Sequence, residues 1–246
     1  MLAVALTCLL ASQAPPPPAP PAPATQAASA VEAWDDKAAK AALAEFHKLN
    51  QASANMAQKT RALDALAPGS HKSLVKPLAQ VVENDKLVVV RKRAAELLAN
   101  QPAAEANAAI RRLLKSPRVS SNPVLVGELI RGLSRCGYDK SHWNDIGDLF
   151  EREYDVDRVP VQEAILELVI AHKEKQAIPV LLRNLDEPRP ENVDDPNNPP
   201  AEYWEARWKS WAVWRSHVKE ALFAITGQRF STAAEARAWL KKNPVK

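Results

Sequence analysis

The sequence predicts an all-α chain, a stacked array of about five helical hairpins with a C-terminal capping helix. Three observations predict it. The first is composition. Only six glycines occur among 246 residues, and the body is dominated by Ala, Leu, Glu, Lys and Arg, which favour helix. The one run that would suit a strand is Leu87–Val90. The second is a recurring apolar motif, in Leu78/Val81/Val82, Ile110/Leu113/Leu114, Ile146/Leu149/Phe150 and Ile178/Leu181/Leu182, with a degraded copy at Leu43/Phe46/His47. Its first members step by 35, 32, 36 and 32 residues. The third is a second amphipathic pattern between these copies, one helix face wide. It runs through Val90/Ala94/Leu97/Leu98, Val161/Ile165/Leu168/Val169 and Trp214/Val218/Ala221/Leu222, with a partial copy at Val126/Ile130/Leu133 and a weaker one near Met56 and Leu63.

Two alternating amphipathic helices with a period near 35 describe a helical-hairpin solenoid. One pair has too little surface to bury its own apolar face, so neighbours must stack. Asn122-Pro123 reads as an N-cap followed by proline at the first helical position, and Pro160 plays the same part before Val161. Gly137 and Gly227 follow expected helix ends, where a left-handed residue is wanted.

The N-terminus is different in kind. Residues 1–14 form a signal-peptide-like leader whose apolar run, residues 2–11, is too short to span a bilayer. Residues 15–33 form a Pro/Ala-rich linker with seven prolines between Pro15 and Pro23, a composition that prefers extended polyproline II. The expectation is export to the periplasm or cell envelope, with no transmembrane segment in the mature chain. Residues 34–230 are expected to form the array, with an insertion at 186–205, and residues 231–246 the cap. Only Cys8 and Cys136 occur, and Cys8 lies in the leader, so one lone thiol and no internal disulfide are expected.

Among helical arrays, this one resembles HEAT repeats. The phrase Gln176-Ala-Ile-Pro-Val-Leu-Leu-Arg-Asn-Leu185 is similar to a HEAT first helix, with Pro179 where that family often kinks, and Lys76-Pro77-Leu78 repeats the theme. The resemblance implies a right-handed α-solenoid of HEAT-like hairpins. The ending, Ala221 to Phe230 with Thr226-Gly227-Gln228, then Ala236 to Leu240 with Trp239, resembles that of exported bacterial HEAT-repeat proteins. It implies a helix shielding the last repeat. A loose family of this kind implies fold far more than activity.

The last pair departs from regularity. Its helix motifs start 36 residues apart, against 12–16 in the others. Five acidic residues and five prolines crowd Asp186–Pro200, which reads as an irregular loop. Tyr203, Trp204, Trp208, Trp211 and Trp214 follow. Such a stripe is either core packing, the commoner case, or an aromatic binding patch; Tyr203, Trp204, Trp208 and Trp211 are therefore candidate partner-binding residues. Asp194, Asp195, Asn197 and Asn198 offer hard oxygen ligands but lack EF-hand spacing and its glycine, so no metal is expected.

No other chemistry emerges. The five histidines are not at metal-binding spacing, and phosphate-loop, Gly-x-Ser-x-Gly and cofactor motifs are missing. The expectation is no enzyme and no cofactor. Between Lys86 and Arg118 eight basic residues face only Glu96 and Glu105. Arg91, Lys92, Arg111, Arg112 and Lys115 are the candidates for a stripe that meets an anionic partner. The leading expectation is a protein-interaction scaffold of the bacterial cell envelope. A structural envelope component tethered by the linker is second. A HEAT-like nucleic-acid-binding protein, related to DNA glycosylases that hold duplex on a basic concave face, is third, and export argues against it.

Overall fold

A computed structural model describes residues 31–152, 154–190, 192 and 194–245. The leader and residues 15–30 of the linker lie outside the described residues, as does Cys8.

The described chain is helical and layered. Five successive hairpins pair α1 (Asp36–Leu49) with α2 (Met56–Asp64), α3 (Lys72–Asn84) with α4 (Val88–Leu98), and α5 (Ala103–Leu114), through the short α6 (Pro117–Ser120), with α7 (Pro123–Arg135). The fourth joins α8 (Trp143–Ile146) and α9 (Asp148–Glu151) to α10 (Val159–His172); the fifth joins α11 (Ile178–Arg183) to α12 (Ala201–Thr226). A final helix, α13 (Ala233–Lys242), closes the end. Second helices pack on second helices in the order α2, α4, α7, α10, α12, and first helices on first helices from α1 through α3 to α5, so hairpins stack rather than fold back on themselves. This is solenoid-like packing, consistent with a stacked helical-repeat arrangement.

Local chemistry sets the boundaries. The Asp35 carboxylate accepts from Ala38 N–H, and Asn55 with Gln58 forms a reciprocal capping box at α2. The Asn122 side chain accepts from Leu125 N–H, with Pro123 opening α7 as the sequence predicts. Gly137 and Gly227 both take positive φ after their helices, again as predicted. Lys173 does the same after α10 without being glycine.

The second-helix row carries the core. Leu125, Leu129, Ile130 and Leu133 of α7 meet Val161, Ile165 and Leu168 of α10, all of them buried. Each such side chain contributes about 1.5–3 kcal/mol on burial. Gly127 permits the closest approach, since a Cβ there would lie 2.6 Å from the Pro160 carbonyl oxygen. Between hairpins, polar side chains pair across one repeat. Arg111 bonds Asp145, Arg131 bonds Glu167, Arg183 bonds Glu151 and the Tyr138 hydroxyl donates to Glu174, at separations of 32–36 residues.

Several expectations need correction. Pro179 sits in the first turn of α11, after a 3₁₀ turn at Lys175–Ala177, and kinks nothing; it is Pro77 that lies inside a helix. Leu87–Val90, the one run that would suit a strand, is helical from Val88 onward, with Leu87 at the N-cap position, in keeping with the all-α expectation. Among the described residues the strands are two residues each: β1 (Glu32–Ala33) runs parallel to β2 (Gly69–Ser70), held by Glu32 N–H to the Pro68 carbonyl and Trp34 N–H to the Ser70 carbonyl. The fold therefore takes in residues assigned to the linker. The Trp34 ring covers Gly69 so closely that a Cβ would sit 2.0 Å from it. The inserted segment 186–205 is only partly loop, since α12 begins at Ala201.

At the C-terminus, Gly227 stops α12, the Thr226 hydroxyl accepts from Gln228 N–H, and Phe230 meets Trp239 edge-on with ring centroids 5.6 Å apart. Asp186 accepts from Ala233 N–H at 2.9 Å, tying α13 to the end of the fifth first helix. No helix among the described residues is long and apolar enough to cross a membrane.

Candidate functional site

Stacked first helices leave grooves between them. One of about 520 Å³ lies between α1 and α3, a second of about 520 Å³ between α3 and α5, and a cleft of about 310 Å³ between α5 and α8–α9. All three open on the same row of helices. Their walls hold eight cations (Lys59, Lys72, Lys76, Lys86, Arg111, Arg112, Lys115, Arg152) against four carboxylates, those of Glu83, Asp85, Glu105 and Asp145. Among the described residues, Lys72, Lys76, Lys86 and Arg152 have no ion-pair partner.

The structure divides the basic residues singled out from the sequence. Arg111, Arg112 and Lys115 come together on α5. Asp145 receives Arg111 at 3.0 Å and Lys115 at 3.1 Å, one on each oxygen, and these bonds hold its carboxyl below the usual range. Glu83 receives the Ser116 hydroxyl at 2.8 Å and Arg112 at 3.2 Å, which lowers it likewise. Arg91 and Lys92 do not join them, because α4 belongs to the other row. The Arg91 guanidinium donates to the backbone carbonyls of Val82 and Arg118 at 2.6 and 2.7 Å, satisfying helix-end acceptors and stitching α3 to α6. Lys92 lies 3.9 Å from Glu96 on its own helix.

The tryptophans are graded rather than uniform. Trp214 is 1% exposed, donates from Nε1 to Gln162 at 2.9 Å and meets Phe150 edge-on, so it is core. Trp211 is 8% exposed and Trp204 half-buried. Trp208 is 45% exposed and donates to Glu187 at 2.6 Å. Steps of four, three and three residues drift around the helix, leaving Trp208 and Trp214 about 120° apart. Near the start of α12 a cation–aromatic cluster forms: the Arg207 guanidinium lies 4.9 Å from the Tyr154 ring and 5.8 Å from the Trp204 ring, and Tyr203 touches both rings edge-on. Burial pushes Tyr154 up to about 12.

One pair resembles a nucleophile with its base. The Ser134 hydroxyl lies 3.0 Å from His172 Nε2, and the Tyr138 ring packs on the same imidazole at a 45° tilt, centroids 4.9 Å apart. That nitrogen also lies 3.0 Å from the Ser134 carbonyl oxygen, so it carries a proton and donates. A nitrogen that donates there cannot accept the serine proton, and the geometry is that of an inter-repeat strut. Cys136 is buried, and burial pushes its thiol up. In the insertion, Asp195 Oδ1 accepts from Asn197 N–H, which occupies it in the turn.

Sequence reasoning missed Lys72, Lys76, Ser120, His142 and Arg152 as groove residues. A signal for two of them was present, since Lys76 and Arg112 are separated by 36 residues and Arg152 follows Lys115 by 37, close to one repeat. Ser120 ends the short α6 and His142 closes a 3₁₀ turn, and neither carries a periodic signal. No protein-family model, curated protein or solved structure matches the chain.

Proposed function

We propose that the chain is a non-enzymatic interaction scaffold of the bacterial cell envelope, binding an acidic segment of a partner protein along the row of first helices. The observation that carries this reading is the series of grooves on one face, with cations outnumbering carboxylates two to one. The grooves have apolar floors, such as Val75, Ala79 and Ala109 between α3 and α5, which suit an extended segment bearing both acidic and apolar residues. The resemblance to exported HEAT-repeat proteins and the leader-like N-terminus support the envelope assignment. A fluorescent Glu-rich peptide of about twenty residues tests it by anisotropy, at low salt and at about 0.5 M. Binding should weaken with salt and should fall in Lys76→Ala combined with Arg112→Ala. A duplex DNA of equal charge binding more tightly than the peptide moves the assignment to the nucleic-acid reading. A second reading, an aromatic contact at the start of α12, is favoured by the exposure of Trp208 and is reported by its indole fluorescence on peptide addition.

A further inference from the structure

The cleft between α5 and α8–α9 differs from the other two grooves. It is the smallest and the most cationic for its size, with Arg111, Lys115 and Arg152 against Asp145 alone. Three positive charges less one leave +2. Asp145 uses both oxygens on Arg111 and Lys115, which holds those two cations within one carboxylate's width of each other. Arg152 has no partner among the described residues. The Arg111 Nε–H is shielded from solvent and finds no acceptor among the described residues.

Two neutral donors complete the cleft. His142 Nδ1 accepts from Asp139 N–H at 3.1 Å, which leaves the ring proton on Nε2. Burial and the Arg111 charge lower its pKa, against the opposing Asp139 and Asp145, so the ring enters as a donor without charge at neutral pH. Ser120 lines the same cleft, and the remaining lining includes the part-exposed Leu114 and Leu149.

We infer that this cleft binds a phosphate monoester, its dianionic phosphoryl group on Arg111, Lys115, Arg152 and His142 and its organic part on the apolar wall. A phosphoryl group carries close to two charges and three acceptor oxygens at one point, which matches cations held side by side. A dicarboxylate spreads its charges apart, and a monocarboxylate leaves one cation unmatched. The volume is at the lower end of small-molecule sites and fits a single compact group. The site goes beyond the scaffold reading and stands without it, because a free monoester fills it whether or not a protein lies in the neighbouring grooves.

Calorimetric titration of the protein with phenyl phosphate, inorganic phosphate and benzoate tests it. Phenyl phosphate should bind at sub-millimolar concentration, about tenfold more tightly than benzoate and severalfold more tightly than inorganic phosphate. Arg152→Gln should weaken phenyl phosphate by about tenfold with an unchanged melting temperature, since among the described residues that exposed side chain makes no hydrogen bond or ion pair. Lys76→Ala with Arg112→Ala, which disables the neighbouring groove, should leave it unchanged, so the two readings fail separately. Equal binding of benzoate, an undiminished Arg152→Gln, or no heat with any of the three overturns the phosphoryl site. Equal binding of inorganic phosphate overturns the monoester assignment.

Discussion

The two rows of helices change in opposite directions along the chain. First helices shorten, from 14, 13 and 12 residues in α1, α3 and α5 to the four-residue pieces α8 and α9 and six residues in α11. Second helices lengthen, from 9 and 11 in α2 and α4 to 13, 14 and 26 in α7, α10 and α12. The second row is the more enclosed: α10 buries Val161, Gln162, Ala164, Ile165, Leu166, Leu168 and Val169 and packs on α7, α9 and α12, with Glu167 left on its exposed face. The first row has one buried side and keeps charge on the other. A solenoid of this kind assigns stability to one row and leaves the other to present grooves. Substitutions in the two rows should therefore differ in size.

The largest effect is expected in the second row. Trp214→Ala removes a buried ring and strands the Gln162 carbonyl, and should destabilise by about 3–5 kcal/mol in urea unfolding. Gly127→Ala drives a Cβ into the Pro160 carbonyl and should cost about 1–3 kcal/mol; a melting temperature within a degree of wild type would show that α7 and α10 are not in backbone contact. Tyr138→Phe takes the hydroxyl away from the buried Glu174 carboxylate and should lower stability by about 1–2 kcal/mol. The Gln176 N–H at 2.9 Å still serves the other oxygen of Glu174. In the first row, Asp145→Asn should cost no more than about 1 kcal/mol at neutral pH, because the pair is partly solvated. The bonds from Arg111 and Lys115 depress the folded pKa below the unfolded value of 3.8, so this contribution is full above 3.8 and is lost as pH falls from there through the lower folded pKa. Stability measured from about pH 6 to 2.5 should then be flatter in the variant. Smallest of all, Trp208→Ala should shift stability by less than about 0.5 kcal/mol, and the gap between it and Trp214→Ala measures how far one aromatic stripe is divided between surface and core.

The repeat was legible because burial on one side of a helix forces an apolar residue at fixed intervals. The cap at Asn122 and the turns at Gly137 and Gly227 were legible for a local reason, side-chain capping and the left-handed backbone that glycine favours. Less was legible of the candidate site. Arg91 and Arg111 look alike in sequence, yet one is consumed by backbone carbonyls and the other lines a cleft. Residues entering from short connecting pieces, Ser120 at the end of α6 and His142 in a 3₁₀ turn, leave no periodic trace.

By itself the sequence determined the helical period, the number of hairpins and the place where the last pair is stretched, since each follows from contacts within one or two turns of chain. Only the tertiary structure decided which cations share a groove, which tryptophan faces water and where Glu32–Ala33 find a partner strand. Those outcomes depend on residues about one repeat apart in sequence, whose juxtaposition is set by how neighbouring hairpins stack and not by any local preference.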